Sequence, residues 1–274
     1  MSTSLALRSV PSHVASRYVD EGWWSDETLP EFLTTALTDS RQRFQVWSDE
    51  RPEQTTTGEV FERALRFAGA LETRGVAPGD VVAFQLPNWT EAAIAFWGAT
   101  CAGATVVPIV HTYAARELRI ILEQCRPRVF VVADQFGRRD LYAAALEAQA
   151  RELVESLIVV GRPRSDATAF EAFTRHEPLR HLPSLDANDP AVIAYTSGTG
   201  KRPKGVVHTH RTLLAEIRQL EDLPQPDHRP VLVGSPVGHV AGMTAAFGDA
   251  VARGKPIHMV DRWEPEAVLD ILRD

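Results

Sequence analysis

From Ala92 to Val110 the chain carries no charged side chain. A run of that length raises the question of a membrane span. Ala, Gly and Thr dilute its hydrophobicity, however, and Gly103 and Pro108 interrupt it. It reads instead as a buried helix over 92–102 followed by a buried strand over 105–109. Continuous apolar runs of this kind belong to a sheet that helices cover on both faces. The opening segment, Met1 to Arg8, has no apolar core of signal-peptide length.

The neighbouring sequence keeps the same rhythm. Thr56 and Glu59 have capping-box spacing, and Val60, Phe61, Ala64, Leu65, Phe67, Ala68 and Leu71 follow a helical period up to Gly75. Strands are predicted at 81–86, 129–133 and 157–160, with helices at 114–125 and 138–154. Strands alternating with helices imply crossovers and mainly parallel pairing. Residues 1–30 read as an irregular lead-in, with Trp23 and Trp24 as core anchors. Pro163, Pro178, Pro183 and Pro190 punctuate a polar connector. Beyond it come a strand at 191–195, a helix at about 209–222, a strand at 231–235, a helix at 240–252, a strand at 257–260 and a last helix at 265–272. The expected architecture is α/β: mainly parallel sheets flanked by helices, in two αβ units over residues 1–185 and 186–274.

Composition narrows the function classes. With 29 Lys and Arg against 36 Asp and Glu, the net charge is −7, whereas a general nucleic-acid binder carries a basic excess. Two cysteines, Cys101 and Cys125, leave no disulfide scaffold and no Cys-rich zinc site. They fit a reducing, cytoplasmic compartment.

The segment from Tyr195 to Val206 carries the chemistry. A predicted strand delivers it and a helix follows. Gly198, Gly200 and Gly205 free the backbone, Thr196, Ser197 and Thr199 offer hydroxyls, and Lys201, Arg202 and Lys204 concentrate positive charge in an acidic chain. Exposed backbone N–H groups together with a lysine make a phosphate cradle. The spacing is not that of the common P-loop, because Pro203 stands five residues after Gly198. On residue chemistry alone the segment is either such a cradle or a flexible basic surface loop. It has no Gly-x-Ser-x-Gly elbow, so Ser197 does not read as a hydrolase nucleophile.

The whole string resembles the phosphate-binding signature of the adenylate-forming superfamily, Tyr-Thr-Ser-Gly-Thr-Thr-Gly-x-Pro-Lys-Gly. It matches at Tyr195, Thr196, Ser197, Gly198, Thr199, Pro203, Lys204 and Gly205, and departs at Gly200 and Lys201. Gly75 to Val82, Gln85 to Asn88, Gly103 to Pro108, Ser235 to Gly242 and Asp261 to Glu266 resemble further segments of that family in the same order. With Gly22 and Trp23, the combination is most similar to acyl-CoA synthetases acting on medium-chain, alicyclic or aromatic acids.

The resemblance implies two steps: attack of a carboxylate on ATP to give an acyl-adenylate, then transfer of the acyl group to coenzyme A, with Mg2+ as companion ion. It places phosphate binding on Thr196, Ser197, Gly198, Thr199, Gly200, Lys201, Lys204 and Gly205, with Lys204 also catalytic. It places His239, in the Pro-x-x-His-x-x-Gly segment, near the carboxylate and ATP; read from its surroundings alone, His239 is equally a histidine satisfied within a loop. His208 and His210 lack a third ligand at a convincing spacing and read as structural, with Thr209 or Thr212 capping the helix that follows.

The family's later aromatic-Gly-x-Thr-Glu segment, ribose-binding Asp, hinge and C-terminal lysine have no counterpart here. The chain therefore reads as the N-terminal portion of such an enzyme, with a missing C-terminal half or a homo-oligomer as expected partner. Two alternatives stand beside this reading: a non-catalytic remnant that binds nucleotide or a partner chain, and an adenylation enzyme that loads a carrier protein.

Overall fold

The computed structural model describes residues 10–196, 202–221, 223–224 and 229–273. The lead-in is more ordered than its sequence suggests. Helix α1 (Ser12–Asp20) buries none of its residues. Trp23 is 50% exposed rather than anchored in the core. Tyr18 instead gathers Trp23 and Trp24 at ring separations of 5.4 and 5.0 Å, and Arg211 lies over Trp24. Helix α2 (Leu29–Leu37) opens on Thr28, whose N–H and hydroxyl both donate to Glu31, at 2.8 and 2.7 Å.

An antiparallel pair follows that the sequence pattern did not reveal, β1 (Arg43–Trp47) and β2 (Glu53–Thr56). Helix α3 (Thr57–Thr73) then starts at the expected box: the Glu59 N–H donates to Thr56 Oγ1 at 3.2 Å, and the Thr56 N–H to Glu59 at 3.0 Å. The alternation that was read from sequence continues through β3 (Val81–Gln85), α4 (Thr90–Cys101), β4 (Thr105–Pro108), α5 (Ala115–Cys125) and β5 (Val129–Ala133).

Residues 138–154 are not one helix. A small hairpin of β6 (Gln135–Phe136) and β7 (Arg139–Asp140) turns at Gly137, whose φ is 58°. Asp140 then caps α6 (Leu141–Glu147), accepting from the Ala143 N–H at 2.7 Å. A left-handed Gln149 separates α6 from α7 (Ala150–Leu153). After β8 (Ser156–Val160) the connector adds only β9 (Thr168–Ala169) and α8 (Glu171–Thr174).

Next come β10 (Pro190–Thr196), β11 (Lys204–Thr209), α9 (His210–Glu221) and β12 (Val231–Val233). The helix expected at 240–252 is α10 (Val240–Thr244), a wider π-helical turn (Ala245–Asp249) and α11 (Ala250–Ala252). Strand β13 (Ile257–Val260) and helix α12 (Pro265–Arg273) complete the order.

The strands form two large sheets. One has the order β11-β10-β4-β3-β5-β8-β9 and is parallel except for β11; the other has the order β12-β13-β1-β2 and is parallel except for β2. Strands from before and after the boundary at 185/186 share both sheets. The fold is thus α/β with mostly parallel sheets flanked by helices. Helix α4 explains the uncharged run: every one of its residues is buried. Its Trp97 ring lies 6.1 Å from Phe44 of β1 and 5.7 Å from Phe247, and Phe96 stacks on Phe247 at 5.2 Å. An amphipathic helix could not fill that position, because α4 is buried on every face, its one charged residue, Glu91, being paired with Arg51. Among the described residues no helix is long and apolar enough to cross a membrane.

Helix α4 also lies very close to α3. A Cβ added at Gly98 would stand 2.5 Å from the Ala64 carbonyl oxygen and 2.9 Å from Phe67 Cδ1. We expect Gly98→Ala to destabilise the fold by about 1–3 kcal/mol through overpacking, read as a lowered urea midpoint with an unchanged denaturant slope.

Candidate active site

Parallel strands gather their carboxyl ends on one edge of a sheet, and crevices outside those ends are where ligands enter open α/β folds. Both segments singled out in the sequence rise from such ends. The hairpin of β10 and β11 leaves the seven-stranded sheet beside β4, and Thr105 Oγ1 donates to the Pro190 carbonyl at 3.0 Å across that junction. Its register sets Thr196 opposite Lys204 and Tyr195 opposite Gly205. Thr196, Lys204 and Gly205 are all exposed. Ser197, Gly198, Thr199, Gly200 and Lys201 lie outside the described residues.

The structure also shows that residues 204–209 form a strand before α9 begins. Thr209 and Thr212 cap that helix reciprocally: the Thr209 N–H donates to Thr212 Oγ1 at 2.9 Å and the Thr212 N–H to Thr209 Oγ1 at 3.2 Å.

The second segment, Ser235 to Gly242, leaves the four-stranded sheet after β12. His239 is exposed and caps α10, its Nδ1 accepting from the Ala241 N–H at 3.3 Å. This segment is pressed against the chain that follows β4. A Cβ on Gly238 would fall 2.3 Å from the Ile109 carbonyl oxygen and 2.7 Å from Val110 Cα, so no larger residue fits without displacing the backbone. The structure therefore brings the hairpin and the His239 segment to the same edge, around the ends of β10 and β4.

A set of buried and half-buried polar side chains fastens this edge, and residue types in the sequence assign them no role. Asn88 follows β3. Its Nδ2 donates to the carbonyls of Val260, Ser235 and Val233 at 2.9, 3.0 and 3.4 Å, and its Oδ1 accepts from the Val237 N–H at 2.9 Å. Asp261 accepts from Trp89 Nε1 at 2.9 Å and from Ser48 Oγ at 2.5 Å. Gln85 donates to the carbonyls of Val110 and Tyr113 at 3.2 and 3.3 Å. His111 is buried with its Nδ1 unpartnered among the described residues. Burial, aided by the nearby Arg139 charge, pushes its pKa down to about 4, against an opposing pull from Asp261. The signal in the sequence was a polar residue at, or within three residues of, the end of each apolar strand.

On the far side of the hairpin, α9 is tied to the lead-in. His210 Nδ1 accepts from the Leu29 N–H at 3.2 Å. Arg218 donates to Ser25 Oγ at 3.0 Å and to Glu27 at 2.6 Å, and Arg211 pairs with Asp26. His208 stands 3.9 Å from Glu216. His208 and His210 thus have structural partners, and no group of three His, Cys, Asp or Glu among the described residues is arranged to hold a metal ion.

Comparison with known proteins gives this geometry a family. A family model described as "AMP-binding enzyme" matches residues 34–274. The chain belongs to the AMP-binding enzyme family. It is 26% identical to a long-chain-fatty-acid–CoA ligase of Bacillus subtilis (strain 168), over 88% of this chain and 48% of that protein. It is 24% identical to a medium-chain fatty-acid–CoA ligase of Escherichia coli (strain K12), over 93% of this chain and 46% of that protein. The apo structure of Mycobacterium smegmatis MbtA superposes with a TM-score of 0.80 at 26% identity, over 97% of this chain and 50% of that one. The chain spans about half the length of the curated relatives it matches.

Two expectations follow for the site. Asn88→Ala removes the partner of the buried Val237 N–H and of three carbonyls, and should lower unfolding free energy by about 3 kcal/mol, measured in urea. For His210, burial holds the pKa down to about 4, against attraction from Asp189 and Glu31. Its folded value lies below the ordinary 6.5, so the unfolded chain binds the proton more readily. The stability contributed is complete above pH 6.5 and is lost as pH falls toward 4. His210→Asn should flatten part of that decline in unfolding experiments across this pH range, while His111 and His258, both shifted the same way by burial, keep a further part of it.

Proposed function

We propose that this chain binds ATP through the β10–β11 hairpin and serves in ATP-dependent activation of a carboxylic acid, as part of an acyl-CoA synthetase. The observation that carries the reading is the register of Thr196 opposite Lys204 at an exposed sheet edge, flanking the segment that matches the family's phosphate signature. A hydroxyl and an ammonium group at adjoining positions suit phosphate oxygens as a donor set.

In the reaction, a carboxylate oxygen forms a bond to the α-phosphorus while the bond to pyrophosphate breaks. Negative charge then grows on the leaving pyrophosphate. Donors fixed in advance around those oxygens stabilise the charge where it develops. That role falls to Thr196, Ser197, Gly198, Thr199, Gly200, Lys201, Lys204 and Gly205, with Lys204 supplying the cationic contact. His239 is assigned to the carboxylate side, at the N-terminus of α10. In the second step the coenzyme A thiol bonds to the acyl carbon and AMP departs. The acid class is medium-chain, alicyclic or aromatic.

No group of three or more His, Cys, Asp or Glu among the described residues is arranged to hold a metal ion; Mg2+ would be held chiefly by the phosphates of the ATP it accompanies. Cys101 and Cys125 are both free thiols, which suits a reducing, cytoplasmic setting.

Carboxylate-dependent ATP–pyrophosphate exchange over a panel of acids tests the proposal, with ATP affinity measured by calorimetry alongside. Exchange in the native chain that is lost in Lys204→Ala supports it. We expect the same substitution to weaken ATP binding by about tenfold or more with little change in Tm. ATP affinity indifferent to Lys204→Ala would remove the phosphate assignment. ATP binding without exchange for any acid would confine the chain to nucleotide binding.

A further inference from the structure

Tyr195 opens the matched segment, yet the phosphate assignment leaves its side chain unused. The ring is buried, 5% exposed, although Thr196 beside it is open to solvent. The hairpin needs a lateral hold at this point. Strand β10 pairs with β4 at Val192 opposite Val106, and β11 is the last strand of its sheet. The β11 residues Lys204, Gly205 and Val206 are exposed. An edge hairpin held by one ladder alone opens easily at its tip.

Tyr195 supplies that hold in two ways. Its ring lies across Gly205, where an added Cβ would come 3.2 Å from Tyr195 Cζ and 2.9 Å from Ile193 Cγ2. Its phenol oxygen reaches the last turn of α5, 3.0 Å from Gln124 Oε1 and 3.0 Å from Cys125 Sγ. The directions of these bonds are fixed by chemistry. The Gln124 carbonyl only accepts, so the single phenol proton goes to it, and the Cys125 thiol must donate to the phenol oxygen. Burial pushes the Cys125 pKa up to about 11 and raises that of Tyr195 as well. Both groups therefore keep their protons at neutral pH.

We infer that Tyr195, fastened by Gln124 and Cys125, is a positioning residue that locks the β10–β11 ladder to α5 at its tip end, the root of the 197–203 connection, and so holds Thr196 and Lys204 in register. The functional half of this inference rests on the ATP-binding reading of Lys204; the mechanical half does not. Cys125 acts as a hydrogen-bond donor here and not as a reactive thiol.

The test uses the native chain with Tyr195→Phe, Cys125→Ala, Cys125→Ser and Lys204→Ala. Amide hydrogen exchange at residues 194–196 and 204–206 reports the root of the 197–203 connection, the amides of β3 and β5 report the sheet, and calorimetry reports ATP affinity. In Tyr195→Phe, exchange at the root should rise about tenfold while β3 and β5 keep their protection. ATP binding should weaken several-fold. Cys125→Ala should reproduce part of this, and Cys125→Ser should restore the native pattern, because its hydroxyl donates in place of the thiol. Lys204→Ala should weaken ATP binding with root exchange unchanged.

The inference is overturned by unchanged root exchange in Tyr195→Phe, by an equal rise across β3 and β5, or by Cys125→Ser behaving as Cys125→Ala. It is also overturned if Lys204→Ala weakens ATP binding and Tyr195→Phe does not. If instead ATP affinity ignores Lys204→Ala, the ATP-binding reading fails, and the exchange results still decide whether Tyr195 locks the hairpin.

Discussion

The arrangement of the two sheets depends on one buried amide. Asn88 leaves the seven-stranded sheet after β3 and meets the ends of β12 and β13, together with the backbone that runs on to His239. Apolar packing around Trp97 and Phe247 holds the layers together, but such packing has no direction and tolerates small rotations. A side chain that must satisfy three carbonyls and one N–H at once tolerates very little. An unmade bond in a buried network is expensive, so the network selects one sheet-to-sheet angle. Trp89, the next residue, repeats the device through Asp261, which also holds Ser48.

That constraint reaches the site because the two candidate segments belong to different sheets. Lys204 rises from the seven-stranded sheet, while His239 follows β12 of the four-stranded one. Their relative position is therefore inherited from the angle between the layers. The close approach of Gly238 to Ile109 and Val110 closes the remaining gap. Reactions that depend on placing donors around a leaving group need this fixity more than they need strong individual contacts.

The core of the fold was legible because full burial leaves a plain trace. The strands at 81–85, 105–108 and 129–133 and the helix at 90–101 are mostly apolar and almost wholly buried, as a doubly covered sheet demands. The elements that escaped notice are those whose sequence obeys another demand. Strand β1 is short and alternates, with only Phe44 and Val46 turned inward. Strand β11 begins inside the signature, where lysine, proline and glycine hide the approach to a pair of valines, Val206 exposed and Val207 half-buried at the sheet edge. The helix over 138–154 failed at Gly137 and Gln149, two left-handed residues of which only the glycine announces itself. At the site, local residue types left the loop open between a phosphate cradle and a basic surface loop, and only the match to a family signature favoured the cradle. The fastenings could not be read locally, because Asn88 acts on residues 145 to 172 positions away and Tyr195 on residues 70 and 71 positions away.

Polar burial follows the same logic across the sheet. Gln85, His111 and Asp134 are buried polar groups at or just beyond the carboxyl ends of β3, β4 and β5. Each desolvated group destabilises the fold unless a partner is found. Most of these partners are loop groups: Gln85 holds the backbone of residues 110 and 113, and Asp134 holds Arg164 in the connector. Apolar burial, as of Ile109 and Val110, fixes only part of these loops. Inward-facing polar side chains fix the rest while leaving neighbouring residues open to solvent. The same trade explains Tyr195, whose ring is buried while the residue beside it, Thr196, stays open to solvent.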